Sequence, residues 1–172
     1  MRVTSDTTLF FDASVLVAGA HSEQGGSALL LDASKLAGFT AQLTSLVVVE
    51  ANHVLEKDFP PPSLARFYDY LAQIDWDVLP VPAGETLQKY APLVDPKDLH
   101  VLAAAVEGQS EFLLTLDRKH ILAAAEAVQK ANLPIRILTP GDFIQQYYPL
   151  HEAYSSLPSP RGSGSESGRA TA

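Results

Sequence analysis

Four acidic residues stand where their carboxylates could share a divalent cation. Asp12 follows the run TLFF, Glu50 lies inside SLVVVEANHVL, Asp98 opens DLHVLAAAV, and Asp117 follows FLLTL. The chain contains no cysteine and no obvious histidine pair, so oxygen ligands suit Mg²⁺ or Mn²⁺ better than zinc. Such cations make bound water more acidic and stabilise a leaving oxyanion, and the chemistry indicated is phosphodiester hydrolysis.

Short β-like runs alternate with helical ones, which predicts the elements that position these acids. Strands are expected at residues 8–12, 41–44, 76–81, 112–116 and 135–138. Helices are expected at residues 25–36, 45–57, from 63 onward, 84–94, 99–107 and 120–131, with a short helix after Pro140. Ser45 and Ser63 are the expected caps of two of them. The predicted fold is an α/β three-layer α/β/α sandwich with a mostly parallel five-stranded sheet. Strand ends and first helical turns share one edge of such a sheet, where ligands bind.

Composition indicates one globular domain followed by a tail. The chain has 172 residues, of which 47% are hydrophobic, enough for a single core. We predict a domain over residues 1–148 and a disordered tail over residues 149–172, because SSLPSPRGSGSESGRATA has almost nothing to bury. No apolar run approaches membrane-spanning length, and the run before Asp12 makes a poor signal peptide. We expect a cytoplasmic protein without a membrane partner.

Net charge bears on the partner. The formal net charge is -8, which is the wrong sign for a protein that binds nucleic acid through a basic surface. Two divalent cations among the acids would add four positive charges where a phosphodiester docks. Net charge therefore does not decide the substrate.

Each acid also has an ordinary structural explanation. Asp12 and Asp117 could form turns or cap helices. Glu50 could be a hydrogen-bonded side chain beside His53 and Lys57. The convergence of all four acids is the stronger argument for a site, because independent caps need no common location.

The segment DPKDLHVL contains two acids with different predicted roles. Asp95, before Pro96, fits a helix N-cap, whereas the first turn projects Asp98 toward the strand ends. Capping could explain both acids, and we assign Asp95 as the cap and Asp98 as the ligand.

The order of these motifs resembles that of the PIN-domain nucleases. In that family an Asp ends the first strand, as in FFDAS here, and a Glu lies in the helix after the second strand, as in VVVEANHVL. A third acid opens a helix, as in DLHVLAAAV, and a strand precedes Thr-x-Asp, as in LLTLDRKH. The resemblance spans residues 8–148. It implies a metal-dependent ribonuclease that cleaves single-stranded RNA and leaves a 5′ phosphate. The implied catalytic residues and ligands of Mg²⁺ or Mn²⁺ are Asp12, Glu50, Asp98 and Asp117.

Two departures from the family pattern concern the substrate. Relatives often carry Asn where this chain has Ser14, and a second acid where it has Arg118, Lys119 and His120. We expect Ser14 and Thr115 to support a carboxylate or contact phosphate, and Arg118 and Lys119 to meet substrate phosphates. No catalytic role is assigned to His21, His53, His100 or His120.

The resemblance also implies partners. Many small bacterial PIN proteins are toxins held inactive by an antitoxin protein, so an antitoxin and a homodimer are expected. The region of Phe67, Tyr68, Tyr70 and Leu71 could form the dimer surface, or it could be an ordinary core helix. Two other functions stay open. One is an inactive PIN fold that binds RNA or protein, and the other is an acid-pocket phosphotransfer protein, which would need an acid at Ser14.

Overall fold

The computed structural model describes residues 1–160, and its sheet consists of five parallel strands. They are β1 Thr8–Phe11, β2 Thr40–Leu43, β3 Asp77–Val78, β4 Phe112–Leu114 and β5 Arg136–Leu138. Their spatial order is β3-β2-β1-β4-β5, and every neighbouring pair is parallel. The predicted α/β class is confirmed.

Eight α-helices occur in the described part of the chain. They are α1 Ala13–His21, α2 Gly26–Lys35, α3 Ser45–Asp58, α4 Pro61–Gln73, α5 Glu85–Tyr90, α6 Leu99–Glu107, α7 Ala125–Lys130 and α8 Pro140–Gln146. Helices α1 to α4 contact one another, α5 contacts α6, and α8 contacts α2. Parallel crossovers are right-handed, so the connections toward β3 cover one face and those returning to β5 cover the other. Within residues 1–160, no helix has the length and apolar character needed to cross a membrane.

The central strands are buried on both faces. Leu9, Phe10 and Phe11 of β1 have no exposed surface, and neither do Phe112, Leu113 and Leu114 of β4. Alternate residues of a strand point to opposite faces, so a strand covered on both sides reads as a continuous apolar run. These two strands therefore form the rigid centre of the sheet.

After β3 the chain crosses back over the sheet and places β4 beside β1, on the side away from β2. The crossovers from β1 run toward β3, whereas β4 lies on the other side of β1. The carboxyl ends of β1 and β4 therefore flank a topological switch point, where open α/β sheets bind ligands. Phe11 pairs with Leu114, and the Asp12 N–H donates to the Leu114 carbonyl at 3.0 Å. This register brings Asp12 next to Thr115.

Helix α1 was not predicted from the sequence. Its segment, ASVLVAGAH, packs against α2, α3 and α4, so it lacks the one-sided apolar pattern of a surface helix. A Cβ at Gly19 would lie 2.4 Å from Leu31 Cδ1. A larger residue at position 19 would require the fully buried Leu31 side chain to shift.

Other local predictions were wrong at element ends. β3 has two residues because Pro80 and Pro82 lack the N–H groups that a longer strand would need. Thr44, not Ser45, caps α3, its Oγ1 accepting from the Val47 N–H at 3.3 Å. Ser63 lies inside α4, whose N-cap is Pro60. A 3₁₀ turn, Leu122–Ala124, replaces the start of the predicted helix before α7.

Residues of α4 suggested as a dimer surface are mostly core residues. Phe67 is fully buried and Tyr70 is 5% exposed, while Leu71 packs against the core. Tyr68 is half exposed. The alternative of a core helix holds for most of this region, and homodimerisation stays a prediction from the family resemblance.

The chain does not become a tail at residue 149. Val3 bridges His151, and the buried His151 ring satisfies two backbone groups. Its Nε2 donates to the Gly38 carbonyl at 2.6 Å, and its Nδ1 accepts from the Ala153 N–H at 2.9 Å. Leu157 also packs against the core. The predicted domain boundary at residue 148 is therefore too early, and residues 161–172 of the predicted tail lie outside the described residues.

Replacing His151 should loosen this C-terminal segment. We expect His151→Ala to lower the free energy of unfolding by about 1–3 kcal/mol, because a buried carbonyl and a backbone amide lose their partner. The control is His53→Ala, on the exposed surface of α3, which should stay within about 0.5 kcal/mol of the wild type. Urea unfolding followed by circular dichroism measures both. Equal stability of the two variants would contradict the role given to His151.

Candidate metal centre

Two hydroxyl groups hold Asp12 at the end of β1. The residue is 5% exposed, and its Oδ2 accepts from Ser14 Oγ and Thr115 Oγ1, both at 2.8 Å. Ser14 lies in the first turn of α1, and the β1–β4 register places Thr115. In the described part of the chain no side chain donates to Asp12 Oδ1, which leaves that atom for a ligand.

The same hydroxyls also hold the loop that follows β4. Ser14 Oγ accepts from the Leu116 N–H at 3.0 Å, and Thr115 Oγ1 accepts from the Asp117 N–H at 3.0 Å. A hydroxyl has one proton, and here both protons are used by Asp12. The geometry therefore favours carboxylate support over phosphate contact for these two residues.

Burial raises the pKa of Asp12 above its ordinary value. The hydrogen bonds from Thr115 and Ser14 lower this pKa in part, and the charge of Asp117 raises it further. The surroundings thus disfavour the ionised form of Asp12, and a nearby cation would stabilise that form.

Asp98, Asp117 and His120 form a second group, which we call the acid–histidine cluster. One ligand atom from each lies within 4.8 Å of the others. His120 Nδ1 is 3.3 Å from Asp117 Oδ2 and 3.6 Å from Asp98 Oδ2. The His120 N–H donates to Asp117 Oδ1 at 3.1 Å, which fixes the turn after β4.

Asp98 reaches the cluster from the segment that connects β3 with β4. It ends the 3₁₀ turn Pro96–Asp98 just before α6. Asp95 caps this turn, its Oδ1 accepting from the Lys97 N–H at 3.0 Å, which confirms Asp95 as the cap. Asp98 Oδ2 is buried and has no hydrogen-bond partner among residues 1–160. Burial raises the pKa of Asp98, and the charges of Asp117 and Asp12 raise it further.

Three of the four predicted acids therefore act on one another electrostatically. Asp117 raises the pKa of both Asp12 and Asp98, and Asp12 raises that of Asp98. Clustered carboxylates in a partly buried site repel one another unless a proton or a cation neutralises them. The oxygens of these three acids, among them the unpartnered Asp98 Oδ2, are of the type that binds a divalent cation.

Glu50 occupies a different position. Its Oε1 lies 2.8 Å from His100 Nε2, and its side chain is 48% exposed. His100 follows Asp98 by two residues on α6, so Glu50 connects with the site across the α3–α6 boundary. Within residues 1–160 it makes no hydrogen bond or ion pair with the other three acids. The predicted partners His53 and Lys57 are not the ones it uses.

Three exposed cations lie next to the acids in the chain. Arg118 and Lys119 follow Asp117 directly and are exposed. Lys97 is also exposed and lowers the pKa of Asp98. None of the three forms an ion pair inside the described region. They can therefore meet an anion.

Sequence reasoning missed His120, His100 and Lys97 as parts of this region. The spacing of three residues between Asp117 and His120 is the one local signal for the cluster. His100 gave no such signal, because its partner Glu50 lies on another helix.

Comparisons with known proteins agree with this fold. A family model described as the PIN domain matches residues 8–119. Among solved structures, the chain is similar to a chain in the crystal structure of VapBC2 from Rickettsia felis bound to a DNA fragment from their promoter. The TM-score is 0.51 at 12% sequence identity, covering 77% of this chain and 98% of that chain. At this identity the likeness concerns the fold. No curated protein sequence matches the chain.

The raised pKa of Asp12 predicts how the stability of metal-free protein depends on pH. The folded chain binds this proton more tightly than the unfolded chain. The unfolding free energy should therefore fall as pH rises from the unfolded value of 3.8 through the raised pKa of Asp12. Asp12→Asn never ionises, and its amide oxygen can accept both hydroxyl hydrogen bonds. In chelator it should be at least as stable as the wild type at neutral pH, with a weaker pH dependence.

The matched control is Asp6→Asn, because Asp6 is an exposed acid outside the site. It should keep the wild-type pH dependence. Thermal unfolding in chelator, between about pH 4 and pH 7, measures all three proteins. A less stable Asp12→Asn protein at neutral pH would contradict the conclusion that the surroundings disfavour the ionised form of Asp12.

Proposed function

This chain belongs to the PIN-domain family, and on that premise we propose that it is a metal-dependent endoribonuclease hydrolysing phosphodiester bonds of single-stranded RNA. The observation that supports this most is the gathering of Asp12, Asp98 and Asp117 at the switch point. Asp98 Oδ2, buried without a hydrogen-bond partner in the described chain, is unfavourable by itself. A cation ligated there removes the penalty.

The proposed cofactor is Mg²⁺ or Mn²⁺. The carboxylates of Asp12, Asp98 and Asp117 would hold it, and we keep Glu50 as the fourth catalytic acid and ligand. When bound, the cation supplies a Lewis acid that activates water and stabilises the leaving oxyanion at phosphorus.

The remaining work falls to the side chains of the chain itself. Ser14 and Thr115 orient Asp12, and the backbone hydrogen bonds of the loop after β4 orient Asp117. We propose that the Glu50 carboxylate, half exposed and held by His100, can accept a proton from water. We propose that Arg118, Lys119 and the neighbouring Lys97 attract substrate phosphates, which offsets the net charge of -8 locally.

The geometry disfavours a phosphotransfer mechanism on Asp12. A nucleophilic carboxylate must reach phosphorus in line, yet Asp12 is 5% exposed and in the described chain has only Oδ1 free, because Oδ2 accepts two hydroxyl hydrogen bonds. Ser14 also stands where that mechanism needs an acid.

We propose in addition that the chain is the toxin of a toxin-antitoxin pair in the cytoplasm. One structural neighbour is a chain of VapBC2 from Rickettsia felis bound to a DNA fragment from their promoter, and it supports an antitoxin as the protein partner. A homodimer is proposed on the family resemblance. The chemistry of the site does not depend on either partner.

Neutral substitutions at Asp98 and Asp95 should distinguish the proposed metal ligand from the N-cap. Asp98→Asn should abolish Mn²⁺ binding and RNA cleavage, because the amide carries no charge for the cation. Asp95→Ala, the matched control, should keep both and lose about 1 kcal/mol of stability as a missing N-cap.

In the wild type, Mn²⁺ at about 100 times its dissociation constant should stabilise the fold by about 2.7 kcal/mol.

Calorimetric titration, thermal unfolding and cleavage of labelled single-stranded RNA measure these effects, and the products should carry 5′ phosphates. Mn²⁺ binding without cleavage of any RNA would point to an inactive binding module. A wild-type protein indifferent to both Mg²⁺ and Mn²⁺ would rule out the metal-dependent mechanism.

Removal of the exposed cations should weaken RNA binding without affecting the metal. In the double variant Arg118→Ala, Lys119→Ala, the Michaelis constant for RNA should rise. The slope of its logarithm against the logarithm of salt concentration should become shallower by about 0.7 for each lost phosphate contact. Lys130→Ala is the control. Lys130 ends α7, away from the carboxyl ends of the strands, and it already pairs with Glu126 at 2.8 Å. Unchanged salt dependence in the double variant would show that these cations do not contact phosphate.

A further inference from the structure

His120 lies between two carboxylates that one hydrogen bond cannot satisfy together. Its Nδ1 is 3.3 Å from Asp117 Oδ2 and 3.6 Å from Asp98 Oδ2. A ring nitrogen carries either one proton or one lone pair, and 3.6 Å is too long for a hydrogen bond. Hydrogen bonding therefore explains the Asp117 contact and leaves Asp98 Oδ2 without a partner.

A shared ion explains the arrangement of all three atoms. Ligands next to each other on an ion with bonds of about 2.1 Å are roughly 3 Å apart. The His120 Nδ1 separations of 3.3 and 3.6 Å are slightly longer, and one ligand atom from each of the three residues lies within 4.8 Å of the others. Small side-chain rotations would bring them to bonding distance.

The rest of His120 is compatible with coordination through Nδ1. The backbone N–H of His120 donates to Asp117 Oδ1, which keeps the residue beside the acids. The side chain is 35% exposed, so water can accept the proton that Nε2 must carry when Nδ1 binds a cation. Nε2 has no hydrogen-bond partner in the described part of the chain.

On the basis of the proposed function, we propose that His120 is a nitrogen ligand of the cation, together with Asp98 and Asp117. The sequence had indicated ligands of oxygen alone. Imidazole favours later transition metals, whereas carboxylate and water suit Mg²⁺. The mixed site therefore binds Co²⁺ in preference to Mg²⁺, and His120 is the residue that sets this order.

His100 is the other candidate source of a nitrogen ligand. It lies two residues from Asp98, and its Nδ1 is buried without a partner in residues 1–160. Its Nε2 is already bound to Glu50 at 2.8 Å. A test must therefore separate His120 from His100.

Pulsed electron paramagnetic resonance of bound Mn²⁺ makes this separation on the full chain. Nitrogen coordination gives a ¹⁴N modulation of the Mn²⁺ spin echo, independently of catalysis. We expect this modulation in the wild type and in His100→Ala and His53→Ala, and its loss in His120→Ala. By calorimetry, His120→Ala should weaken Co²⁺ binding by more than about 10-fold and Mg²⁺ binding by less than about 3-fold.

A second variant covers the case in which His120→Ala does not fold. His120→Asp offers an oxygen in place of the nitrogen, so it should bind Mg²⁺ and show no ¹⁴N modulation. Wild-type Mn²⁺ without modulation, or modulation that persists in His120→Ala or His120→Asp, would overturn the role of His120 and leave the proposed nuclease standing. A wild type that binds no metal would instead remove both proposals.

Discussion

The hydrogen bond from Thr115 to Asp12 joins the ends of two strands that are far apart in sequence. It exists because β1 and β4 pair in one register, with Phe11 opposite Leu114. A shift of one residue would turn Thr115 to the other face of the sheet and remove its support from both Asp12 and Asp117. The fully buried Phe10, Phe11 and Leu113 prevent such a shift, so core packing fixes the geometry of the proposed site.

The same centre concentrates negative charge where water is scarce. Burial and mutual repulsion raise the pKa values of Asp12 and Asp98, which means that the folded chain accepts an unfavourable local energy. Two hydroxyls lower the pKa of Asp12 in part, and His120 and Lys97 do the same for Asp98. A sequence selected for stability alone would carry neutral residues at these positions, and the proposed metal ion is the reason that we give for the acids.

The C-terminal segment illustrates how a polar residue can order a stretch of low hydrophobicity. Residues 149–160 contain few side chains suited to a core, and composition alone predicted a tail. The buried His151 makes a long-range hydrogen bond to the Gly38 carbonyl. It also makes a local one with the Ala153 amide. No sequence periodicity encodes such a pair, because its partners become neighbours only after the sheet has formed.

The sequence by itself determined the alternating α/β class, the continuous apolar strands, the cap at Asp95 and the strand-end positions of Asp12 and Asp117. These features follow from local propensity and from residues close to one another in the chain. Tertiary structure alone decided that α1 is a buried helix, that Ser14 and Thr115 give their protons to Asp12, and that Glu50 pairs with His100 rather than with neighbours on α3. It also placed His120 between Asp98 and Asp117. Each of these depends on strand order, helix crossing or register, which bring distant residues within bonding distance and leave no periodic trace in the sequence.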